Sequence, residues 1–152
     1  MTYTNAQARE QLLESIRQAI EELGLALASL GEAYEQLDEQ SAERLEGELF
    51  RPVQLAYGRA KRTYAEFAAR HDLPSQTFEP ASPGAPSKGV KVFLDGAVDA
   101  VGRADLTLAS LQDSMLPVEV GDVELRAGLE EVRTLLGALP RQARQFVRTL
   151  GR

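Results

Sequence analysis

Apolar residues recur along this chain at alternating steps of three and four, a spacing that lays a continuous stripe down one side of a helix packed lengthwise against others. In the first run Leu13, Ile20, Leu27 and Tyr34 share one heptad position, and Ile16, Leu23, Leu30 and Leu37 share the other. A third run passes through Val90, Leu94, Ala97, Val101, Ala104, Leu108, Leu111 and Met115, and a fourth through Leu125, Leu129, Val132, Leu136, Leu139, Ala143, Phe146 and Leu150. The second is less regular. It takes consecutive steps of four through Leu45, Leu49, Val53 and Tyr57 before Ala60, Tyr64, Phe67 and His71 restore the pattern. The shift falls at Pro52, which has no N–H to give the Glu48 carbonyl, so a kink or short break is expected there.

Capping chemistry sets the limits. Thr4 and Gln7 have the spacing of a capping box, Ser41 is the candidate cap of the second helix, and Asp122 that of the last. Residues 72–88 carry Pro74, Pro80, Pro83 and Pro86 with Gly84 and several serines, a composition that neither sustains a helix nor supplies core. Pro117 and Gly121 interrupt the pattern again at LPVEVGD, and Pro140 is placed to begin a separate short helix. The expectation is an all-α four-helix bundle forming a single domain over residues 1–152. It comprises two antiparallel helical hairpins, 5–71 and 89–150, joined by a long Pro-rich linker over 72–88. Fully extended, that 17-residue linker reaches about 50 Å, enough to run the length of a 30-residue helix, so both up-down-up-down and crossover topologies remain open.

Charge is partitioned by helix beneath a net value of −6. Residues 1–50 hold 11 acidic and 3 basic side chains, and residues 51–71 hold 1 and 5; the alternation recurs as 9 and 3 over 72–125, then 2 and 6 over 126–152. Complementary flanking charge of this kind selects neighbours during packing, at a few tenths of a kcal/mol for each exposed pair. Beside the first seam Ala19, Ala26 and Ala33 lie on one side and Gly24 and Gly31 on the other, a pattern suited to close helix contact.

Two surface features stand out. Leu25, Leu55 and Leu106 occupy outward heptad positions near the middle of three helices, and together they would form an apolar patch for a second copy or another protein. Arg141, Arg144, Arg148 and Arg152 lie opposite the apolar stripe of the last run and are the candidate anion-binding group, with phosphates or acidic lipids as ligands. No aromatic residue shares the face of these arginines to stack on bases, Phe146 falling on the apolar stripe, and that stripe is small for membrane insertion, so nucleic acid and membrane are both disfavoured as partners.

Catalytic constellations are scarce. Cysteine is absent and His71 is the only histidine, which removes thiolate chemistry and paired imidazole ligands. No phosphate-cradling glycine loop occurs. Glu32, Glu35, Asp38, Glu39, Glu43 and Glu46 around the first turn offer oxygen ligands for magnesium, the arrangement that all-helical nucleotide pyrophosphohydrolases use, but Leu25 stands where their glutamate-glutamate-x-x-glutamate element needs its third acid. Tyr34, Tyr57 and Tyr64 fall on seams as amphipathic core residues. The N-terminus has neither a basic start nor an apolar segment of secretory type, and no apolar run approaches the roughly 18 residues of a membrane span, so a cytoplasmic address is expected. The sequence reads as a non-enzymatic interaction or oligomerisation module with itself as the expected partner, in a homodimer, and with no cofactor, metal or small molecule implied.

Overall fold

The computed structural model describes residues 5–79, 81–82, 85 and 88–150; the expected cap Thr4, Arg152, and Pro80, Pro83, Gly84, Pro86 and Ser87 of the linker lie outside that set. Among the described residues the regular structure is entirely helical. The helices are α1 (Asn5–Glu35), α2 (Glu39–Leu45), a π-helical turn (Glu46–Phe50), α3 (Arg51–Arg70), α4 (Val90–Asp113), α5 (Leu116–Val120), α6 (Val123–Leu136) and α7 (Leu139–Leu150). None is long and apolar enough to cross a membrane.

The irregular second run has a direct structural counterpart. Leu45, Glu46, Phe50 and Arg51 all keep right-handed helical dihedrals, and the Arg51 amide reaches back to the Glu46 carbonyl, so α2 runs into α3 through a widened turn. Pro52 in the first turn of α3 supplies the cause. Its ring and missing N–H disrupt the bond to Glu48, and one extra residue in the preceding turn absorbs the misfit. That residue also keeps Leu45, Leu49 and Val53 on the buried side despite their four-residue steps.

Caps explain the remaining boundaries. The second helix is capped by Asp38, not Ser41: the Asp38 carboxylate accepts from the Ser41 amide at 2.9 Å. The end of α3 is a Schellman motif, with the Leu73 amide on the Ala68 carbonyl at 2.8 Å and Asp72 in the left-handed region at φ 53°. Asp122 caps α6 as its position implies, accepting from the Leu125 amide at 2.8 Å. Met115, expected in the core, adopts φ 67° just beyond α4 and is 52 % exposed. The chain turns there into α5, whose Leu116 and Pro117 are buried.

Helix directions follow from side-chain pairs. Glu22 meets Arg103 at 3.0 Å and Ser29 faces Gly96, so α1 and α4 are antiparallel, and this is the most extensive helix contact in the molecule. Arg70 with Asp122 and Arg59 with Glu131 make α3 and α6 antiparallel, and Asp105 with Arg133 does the same for α4 and α6. The dominant contacts therefore join α1 to α4 and α3 to α6, across the two expected hairpins rather than within them. The charges behave likewise: of these inter-helix ion pairs, Asp105–Arg133 alone lies inside one hairpin.

One connected core runs through these helices. In α1 the buried stripe drifts from Leu13, Ile16 and Ile20 toward Ala26, Leu30 and Ala33, leaving Leu27 half-buried and Tyr34 exposed. An α-helix advances 3.6 residues per turn, so a strict heptad position slides out of the contact over four repeats. Ala19, Ala26 and Ala33 are fully buried and share the side of α1 that carries Glu22 and Ser29 toward α4. Gly24 has Tyr57 in van der Waals contact, whereas Gly31 faces open space. A Cβ on Gly128 would stand 2.3 Å from the buried Thr63 hydroxyl oxygen, so α3 and α6 approach this closely because the residue is glycine.

The segment after α3 returns along the molecule. Phe78 packs edge-on against Tyr64 at 5.2 Å between ring centroids, the Gln76 amide donates to the Tyr64 hydroxyl at 3.3 Å, and the Gln36 side chain donates to the Lys88 carbonyl at 3.0 Å. Leu73 and Phe78 rest against the core, so this segment supplies apolar packing that its composition did not suggest.

Candidate interaction groove between α4 and α7

The final run divides where expected. Gly137 and Ala138 separate α6 from α7, and Pro140 lies in the first turn of α7, where its missing N–H costs nothing. Leu139, Ala143 and Phe146 enter the core, and the Arg44 guanidinium lies over the Phe146 ring at 5.3 Å. Because Arg44 also donates to Thr149 at 3.0 Å, α7 continues along α2 in the direction that α6 takes along α3. The widened turn before Pro52 in one helix line and the break at Gly137–Pro140 in the other both fall between the Arg59–Glu131 and Arg44–Thr149 pairs.

The consequence is felt on the other side of α7. It meets the N-terminal half of α4 less closely than α6 meets α3, and a groove of about 660 Å³ opens between them. Its floor is apolar: Leu94 and Val98 of α4 face Pro140, Ala143 and Val147 of α7. Leu94 and Ala143 are buried, while Val98 and Val147 are half-buried against the core. The walls carry opposite charge. On α4 Asp95 and Asp99 stand one turn apart, with Lys91 a turn before Asp95, so that wall is net acidic, and on α7 Arg144 and Arg148 stand one turn apart. Among the described residues Asp99, Arg144 and Arg148 have no ion-pair partner, and Asp95 has only an exposed contact with Lys91 at 3.8 Å.

The sequence-derived candidates are distributed differently. Leu55 is 55 % exposed in a groove with Leu135 between α3 and α6, and Leu106 is 67 % exposed beside Gln11 and Ser15 of α1. Leu25 is half-buried against the core. Leu55 and Leu106 thus sit in different grooves, beside different helix pairs. Of the four arginines, Arg144 and Arg148 line the α4–α7 groove, Arg141 is exposed on the same helix, and Arg152 lies outside the described residues. The carboxylates around the first turn do not converge either, since no three acidic or histidine side chains among the described residues come together as metal ligands. Tyr57 is half-buried with Lys61 over its ring at 4.2 Å, and burial raises its hydroxyl above the usual tyrosine range.

His71 belongs to a structural latch. The Asp122 carboxylate, 8 % exposed, meets Arg70 through two nitrogens at 2.8–3.1 Å, His71 Nε2 at 2.8 Å and the Leu125 amide at 2.8 Å. Burial by itself would raise Asp122, but the Leu125, His71 and Arg70 hydrogen bonds outweigh it and hold the carboxyl below its ordinary value. Arg70 also reaches Glu124 at 3.0 Å, so the C-terminal end of α3 is pinned to the start of α6.

Sequence reasoning missed Asp95, Asp99, Val98 and Val147 as members of a site. Their signal was present as i, i+4 charge pairs flanking a stripe, but it becomes a groove only once α4 is known to lie beside α7. No family model matches this sequence, and no curated protein or solved structure emerges as a match to it.

Proposed function

We propose that this chain is a non-enzymatic four-helix bundle, two antiparallel hairpins joined by a Pro-rich crossover, that acts as a protein-interaction module through the α4–α7 groove. The observation that carries this reading is the groove itself: an apolar floor flanked by an acidic wall and a basic wall whose charges are left almost unused inside the fold. Desolvated apolar centres with charged rims are how helical partners are bound and oriented. The acidic wall counts against a polyanion ligand, because Asp95 and Asp99 offset the field of Arg144 and Arg148 within one groove. That balance favours a protein over nucleic acid or an anionic lipid surface.

Site-specific photo-crosslinking tests this. A photoreactive residue replacing Val147 in the full chain, introduced in its native cells, is expected to give a discrete protein adduct that Val98→Glu abolishes. The same residue at Ala65, exposed on α3, is expected not to. Equal labelling at the two positions, or none at Val147, would remove the groove as the working surface.

A further inference from the structure

We propose that the occupant of the α4–α7 groove is a second copy of this chain, related by a two-fold axis parallel to the two helices. The proposal rests on the groove reading above and names its partner. A body that fits this groove must present an apolar strip bordered on one side by basic groups and on the other by a net acidic row. The groove of a second copy presents that surface. A two-fold axis running along the groove places α4 of one copy over α7 of the other, keeps every residue at its own level, and sets the two helices antiparallel, the relation α4 and α7 already have within one chain. Asp95 then comes level with Arg144 of the second copy twice over, and the net acidic wall of each copy, Lys91 included, lies along the basic wall of the other across the shared apolar floor. The alternative two-fold, perpendicular to the helices, stacks acid on acid and base on base, so the charges also select the orientation.

The absence of cysteine makes the arrangement easy to test with the intact chain. Light scattering over a concentration series at low salt is expected to show a monomer–dimer equilibrium. Arg144→Glu/Arg148→Glu and Asp95→Arg/Asp99→Arg should each raise the dissociation constant at least ten-fold. An equimolar mixture of those two variants should recover a heterodimer, because each supplies the charge that the other has lost, and the four-fold reversal should recover a homodimer. A measurement independent of charge reversal uses Val98→Cys mixed with Pro140→Cys, the two positions that the register brings level: mild oxidation should give a disulfide-linked pair, while Val98→Cys mixed with Ala65→Cys should give none. A wild-type chain that remains monomeric at every concentration overturns the second copy as occupant. If Val147 then still crosslinks a different protein, the groove reading survives that result. A dimer indifferent to both charge reversals, with no Val98–Pro140 disulfide, overturns the proposed interface and places self-association elsewhere.

Discussion

The α3–α6 seam and the α4–α7 seam are built from the same materials and end in opposite states. Each sets a helix rich in one charge beside a helix carrying the other, over apolar residues at three- and four-residue spacing. In the first, Gly128 lets the backbones close on Thr63, and the flanking charges meet inside the molecule as Arg59–Glu131 and Arg70–Asp122. In the second, the break at Gly137–Pro140 begins a new helix, the walls stand apart, and Arg144, Arg148 and Asp99 remain without ion partners among the described residues. Complementary charge by itself therefore does not close a helix pair. Backbone approach decides whether the charges pair inside the fold or are left facing solvent.

The largest expected effect tests the closed seam at its latch. Asp122→Ala removes the cap of α6 and leaves Arg70 and His71 facing a vacated, mostly buried position, so chemical denaturation should show a loss of about 2–4 kcal/mol. Arg144→Ala on the open seam serves as its counterpart. If the two cost the same, the contrast between the seams is wrong. Next comes Gly128→Ala, expected to cost about 1–3 kcal/mol because its Cβ collides with a β-branched neighbour. Combining it with Thr63→Ala should recover part of that loss, and a double-mutant cycle that proves additive would show that close approach is not what seals this seam.

How much of this was legible beforehand depended on range. The all-helical fold, the irregular turn before Pro52, the cap at Asp122 and the new start at Pro140 are local matters of donors, rings and spacing, and the residues announce them. Pairing is not local. The charge runs led to the expectation that acidic helices would sit beside basic ones, but the most extensive contact joins α1 to α4, both net acidic, so apolar and small-residue packing rather than charge sets that pairing. Leu25, Leu55 and Leu106 illustrate the same limit. Outward heptad positions define a direction on each helix, and only the arrangement of helices reveals that those of Leu55 and Leu106 lead to different grooves. Asp95 and Asp99 were overlooked for the converse reason, being unremarkable solvated charges until α7 lies beside them.

Acidity provides a smaller and more selective probe of the latch. The hydrogen bonds from Leu125, His71 and Arg70 hold Asp122 below its ordinary value, so its folded-state pKa lies under that of the unfolded chain. Its contribution is complete above the unfolded aspartate value of about 3.9 and is lost as the pH falls through the lower folded value. Asp122→Asn is therefore expected to lower stability at neutral pH but to flatten its decline below about pH 4. A mutant whose acid limb parallels the wild type would show that other carboxylates govern acid unfolding.

The smallest effect falls on the open seam, and its smallness is the point. Arg144→Ala and Arg148→Ala remove charges that meet no ion partner among the described residues, from a helix whose hold on the fold comes from Leu139, Ala143 and Phe146. Under conditions where the chain is monomeric, each should shift unfolding by no more than about 0.5 kcal/mol. Arg59→Ala, which breaks the pair with Glu131 and the contact with Thr63, should cost measurably more in the same assay. The same two α7 substitutions should weaken self-association and reduce its salt dependence, since charges left unpaired within the monomer act only when a partner supplies the other half. Stability and association would then respond to different arginines of one chain. A loss of monomer stability at Arg144 equal to that at Arg59 would mean that the open seam is held together in solution as the closed one is, and that its walls have no charge to spare for a partner.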